Sequence, residues 1–89
     1  MIMGPASVAG MYHEPMHPAR VRARRLQIAN AIRAARLGAG LTLEAVSHRT
    51  GIRTATLSEI EQGHSSPQLD TLIRVADGIG VELVEFVRR

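Results

Sequence analysis

The run LTLEAVSHRTGIRTATLSEIEQG, residues 41–63, holds two short helical patterns separated by a single glycine. Thr42 stands before the first pattern as a side-chain N-cap, which predicts a helix over 43–50 with Val46 turned inward. Gly51 falls where the chain must turn tightly without a β-carbon, and Ile52 follows as a buried hinge. Arg53 or Thr54 opens the next helix, over 54–62, whose inner face carries Leu57 and Ile60 three residues apart. Gly63 ends it. Ser47, a small residue four before Gly51, lies where the two helices cross closely. Val46, Ile52, Leu57 and Ile60 then form a shared inner face. Arg53, Thr54, Ala55, Thr56, Ser58 and Glu59 are left as a polar or small outer surface on the second helix.

Two short helices joined by a three- to four-residue glycine turn have the geometry of a helix-turn-helix. Upstream of it, Ile28, Ile32 and Ala35 recur at spacings of four and three, predicting a helix that begins near Arg25 and ends at Gly38 and Gly40. Its apolar face leaves Arg33 and Arg36 to the outside. Downstream, residues 64–67 read as a loop. A fourth helix is expected over 68–77, with Leu69, Leu72, Ile73 and Ala76 apolar. Gly78 and Gly80 bracket Ile79, and a last short helix over 82–87 offers Leu83, Phe86 and Val87. Residues 81–87 have strand propensity, but no partner strand exists for them. The fold class is therefore all-α, with five helices.

Eighty-nine residues make one small domain, whose core is marginal unless the packing is efficient or the chain oligomerises. The first nineteen residues hold three of the four prolines and no helical periodicity, so 1–19 is expected to be a flexible tail and 20–89 the domain. Met11 or Met16 is an alternative start. The N-terminus does not read as a secretory signal, and no apolar run approaches the roughly 20 residues of a membrane span. With no cysteine, disulfides and thiolate metal sites are excluded, and a cytoplasmic setting is expected. His13 and His17 are four apart, but Pro15, Pro18 and the missing third ligand argue against a metal site. Nothing suggests catalysis or a cofactor: there is no glycine-rich phosphate loop and no nucleophile with a base at recognisable spacing.

Charge is divided unevenly. Residues 1–58 carry eight arginines against Glu14 and Glu44, a net of +6, whereas residues 59–89 carry three arginines against six carboxylates, a net of −3. The first part is suited to a polyanion; an ordinary solvated surface is the plainer alternative. Arg20, Arg22, Arg24 and Arg25 are either an arm for phosphates or the minor groove, or a solubilising lead-in.

The stretches GLTLEAVSHRTGI, TATLSEIEQG and SSPQLDTLIRVADGIGV resemble the lambda-repressor/Cro (Xre-type) helix-turn-helix family, a five-helix DNA-binding domain. The resemblance implies a transcriptional regulator, a repressor by expectation, that binds double-stranded DNA through the major groove as a homodimer on an inverted repeat. It implies base-edge positions at Arg53, Thr54, Ala55 and Thr56, with Ser58 beside them and Glu59 one turn on. Arg53 could take guanine bidentately or grip a phosphate, and Ala55 and the threonine methyls could pack on thymine methyls. Glu59 could accept from cytosine or pair with Arg53 or Arg49.

The resemblance further implies phosphate contacts from Thr42, from the first amides of the second helix, from Arg49, and from the loop at His64, Ser65 and Ser66. Leu43 departs from the glutamine common at its position, and Glu61 is implied to be a buried or partly buried hydrogen-bonding group. The last helix, with Phe86 and Val87, is the expected dimer contact. A competing expectation is a protein-binding module such as an antitoxin, with a toxin as partner for the acidic half or for residues 1–19.

Overall fold

The computed structural model describes residues 17–88. Their order is α1 (Pro18–Gly38), α2 (Leu43–Thr50), α3 (Thr54–Glu61), α4 (Leu69–Ile79) and α5 (Val84–Val87), with no strand among the described residues. None of these helices is long and apolar enough to cross a membrane.

Helix α1 starts well before the expected position near Arg25. Pro18 occupies its first turn, where a missing N–H costs nothing and the fixed φ is already helical. The alanines, leucines and arginines that follow are good helix formers. Only residues 1–16 of the expected tail, His13 among them, lie outside the described residues. Helix α2 is capped as its sequence predicts, the Thr42 hydroxyl accepting from the Ala45 amide at 3.0 Å. Thr42→Ala should lower stability by about 1 kcal/mol through loss of that acceptor; urea denaturation of the two proteins checks this.

The turn between α2 and α3 is tied down twice. Gly51 takes φ +76°, a left-handed conformation that side chains strain to adopt. Thr50 donates its hydroxyl to the Val46 carbonyl at 2.8 Å and accepts from the Ile52 amide at 3.1 Å. Ile52 is thereby driven into the core, as expected of a hinge.

One core joins all five helices: Ile32 from α1, Val46 from α2, Leu57 and Ile60 from α3, Val75, Ala76 and Ile79 from α4, and Phe86 from α5. Helix α1 packs on α5, α3 and α4, while α2 packs on α4 and α3.

Three sequence expectations are corrected here. Arg36, placed outside, is buried, because it sits one turn beyond Ile32 on the same face of α1. Helix α4 runs through Gly78 to Ile79 instead of stopping at Asp77. The glycine serves a close helix crossing, since a β-carbon there would overlap the Thr50 methyl of α2. Phe86, assigned to a dimer surface, is 1% exposed and fills the centre of its own domain. The last helix is short, and its one aromatic ring closes a core that four helices leave open.

Candidate nucleic-acid interface

Helix α3 is held from behind by the most elaborate polar contact in the described residues. Arg36 of α1 donates Nε to Glu61 Oε2 at 2.7 Å and an Nη to Oε1 at 2.9 Å, with its other Nη on the Leu41 carbonyl at 2.9 Å. The two side chains are 10% and 8% exposed, so the pair sits in low dielectric, with each guanidinium nitrogen donating one bond. Hydrogen bonding to Glu61 holds the Arg36 guanidinium above the usual arginine range; the charges of Glu61 and Glu44 add to this, and burial opposes it. Glu61 thus has the buried hydrogen-bonding role its position implies. Its partner was legible only as the residue four beyond Ile32.

With its back fixed, α3 turns its other side outward. Arg53, its N-cap, is exposed, as are Ala55, Thr56 and Glu59, while Thr54 and Ser58 are half-buried. Neither Arg53 nor Glu59 has an ion-pair partner among the described residues, so the expected Glu59 pairing with Arg53 or Arg49 is not formed. Gln62, exposed at the C-cap, donates to the Ser58 hydroxyl at 2.9 Å and extends this face by one position.

The flanking positions divide. Thr42 is exposed at the start of α2, beside that helix's first amides. Leu43 packs half-buried against the core, which gives a physical reason for an apolar residue where a glutamine is common. Arg49 is exposed, but its guanidinium donates to the Gly78 carbonyl at 3.1 Å and so braces α2 against α4. Arg74, which sequence reasoning passed over, does the same from α4 to the Thr50 carbonyl at 2.6 Å, next to Gly51. In the loop after α3, His64 and Ser66 are exposed, whereas the Ser65 hydroxyl is turned inward. Among the described residues no cluster of metal-binding side chains occurs.

Residues 32–86, from the middle of α1 through α5, match the family model HTH_3, Helix-turn-helix. The chain belongs to this helix-turn-helix family. The HTH_3 match takes in every position placed above on α2, α3 and the following loop.

Among relatives, an uncharacterized HTH-type transcriptional regulator, y4dJ, from Sinorhizobium fredii is 42% identical over 48 residues. The alignment covers 54% of this chain and 62% of that protein, so the chain spans less than two thirds of its relative. An HTH_3 family transcriptional regulator from Vibrio cholerae superposes with a TM-score of 0.69 at 37% identity, over 73% of this chain and 36% of that one. The restriction-modification controller protein C.AhdI from Aeromonas hydrophila has a similar fold at 20% identity, with a TM-score of 0.69 over 72% of this chain and 97% of its own.

Proposed function

We propose that this protein is a sequence-specific DNA-binding transcriptional regulator, acting as a repressor on an inverted-repeat operator. The outer face of α3 carries this reading. Arg53, Ala55, Thr56 and Glu59 are exposed on a helix whose opposite side is anchored by the Arg36–Glu61 pair, so the surface is presented rigidly. Arg53 takes guanine or a phosphate, Ala55 and the Thr54 and Thr56 methyls meet thymine methyls, and Ser58 and Glu59 read or exclude the next base. Thr42, the first amides of α2 and the His64 segment meet the backbone. Leu43 contributes its amide only, and Arg49, already bonded to Gly78, has its remaining donors to give. Readout by so few long polar side chains leans on DNA shape.

Binding is as a dimer, with recognition helices about 34 Å apart for successive major-groove faces. Because Phe86 is inside its own core, the dimer contact on α5 falls to Val84 and Val87, which are 53% and 38% exposed.

Fluorescence anisotropy against the DNA upstream of its own gene and against random duplex tests this. The expected result is preference for a palindromic site and affinity falling steeply from roughly 50 to 200 mM salt. Arg53→Ala should weaken the specific complex by about 1–3 kcal/mol, roughly 5- to 160-fold, and the non-specific complex less. Equal weak binding to every duplex, unchanged by Arg53→Ala, defeats the proposal.

A further inference from the structure

The first half of α1, the loop over 64–67 and Leu72 of α4 line an open groove of about 630 Å³. Its floor is apolar: Ile28 and Ile32 of α1, Ile60 of α3 and Leu72 of α4. Its rim is cationic, with Arg20, Arg24 and Arg25 lining it and no carboxylate among the described residues there. Arg24 spends donors on Gln27 and on the Val87 carbonyl, and Arg25 spends Nε on the Gly63 carbonyl at 3.2 Å. The Arg20 guanidinium, one turn before Arg24, has no hydrogen-bond or ion-pair partner among the described residues. Ser65 also lines the loop wall, with its hydroxyl oxygen turned inward and away from the open space.

We propose that this groove is a ligand site for a medium-chain amphipathic carboxylate. Its chain lies on the Ile28–Leu72 floor, and its head pairs with Arg20 and Arg24. The volume lies in the range of small-molecule sites, which are apolar with a few fixed polar groups. Three arginines with no carboxylate beside them among the described residues select an anion, and the apolar floor selects one that carries a hydrocarbon part. A nucleic-acid backbone satisfies the first condition and not the second.

The placement also gives such a ligand a lever. Ile60 is on the inner face of α3, and Ser65 and Ser66 belong to the loop that follows it, so an occupant touches the backs of elements whose fronts form the candidate DNA surface. Differential affinity for two settings of that loop would then change operator affinity. This regulatory part rests on the DNA reading; the binding part does not.

Calorimetry on the full chain with decanoate and with decanol tests the site. Decanoate is expected to bind one per chain, and decanol roughly tenfold or more weakly, since it lacks the charge-assisted bonds. Arg20→Gln with Arg24→Gln should erase that preference. Ala23→Phe, a change at an exposed position lining the groove, should abolish binding of both while circular dichroism shows unchanged helix content. Equal affinity for decanoate and decanol, or no binding of either, overturns the proposal. So does a dimer in light scattering that persists with decanoate and is broken by Ala23→Phe, which assigns the groove to a second copy. Binding seen only after removal of residues 1–16 assigns it to that segment and equally overturns it. Because the titration contains no DNA, decanoate binding in a protein that fails every duplex upholds the site while striking the DNA reading.

Discussion

Glu61→Ala is expected to destabilise the domain by about 3–5 kcal/mol, because it leaves the Arg36 guanidinium buried with its main partner gone. The pair is bidentate, with distances of 2.7 and 2.9 Å, and neither side chain is more than 10% exposed. Arg36 cannot escape by losing its proton, since a guanidinium stays charged at any accessible pH even without Glu61 beside it. At about 4–8 °C per kcal/mol for a domain of this size, thermal melting should fall by more than about 12 °C. Replacing both partners, Arg36→Met with Glu61→Leu, should cost far less, because the desolvation of two charges disappears together with their attraction. A double mutant as unstable as Glu61→Ala would show that shape, not charge pairing, matters at this position. The pair joins α1 to the last turn of α3, so its loss should also loosen the presentation of Arg53 and Glu59.

Phe86→Ala should be comparably severe, at about 3–5 kcal/mol, by opening a cavity in the only core the described residues possess. The ring is 1% exposed and shares a cluster with Ile32, Val46 and Val75, drawn from three different helices. In a chain of 89 residues such a loss approaches the whole stability to be expected, and much of the protein should be unfolded at 37 °C. Denaturant titration at several protein concentrations separates a core role from a dimer role. A core residue costs the same at every concentration. A deficit that shrinks as concentration rises would instead return Phe86 to an interface.

Much of the architecture was legible in local signals. Thr42, Gly51 and the Leu57–Ile60 pair act through bonds and dihedral angles within a few residues of themselves, so their meaning does not depend on the remainder of the chain. The outer face of α3 follows from that inner face by subtraction, and the structure leaves Arg53, Ala55, Thr56 and Glu59 where this predicts. Leu43 was the instructive departure. Beside the usual glutamine it is only a departure, whereas in the fold it is a residue packed on the core.

The sequence by itself determined the helical class, the turn at Gly51 and the outward face of α3, because periodicity, capping and turn chemistry are short-range. The tertiary structure alone decided the environments that depend on which helices meet. Arg36 is buried because Glu61 waits across the gap between α1 and α3. Gly78 stays helical because Thr50 of α2 crosses there. Phe86 turns inward because α5 closes the core against α1, and Arg20, Arg24 and Arg25 come to line a groove because the 64–67 loop and α4 stand opposite them. A periodic pattern states which side of a helix is apolar. It does not state what the other helices bring to that side, and for a charged, small or terminal residue that neighbour decides the role.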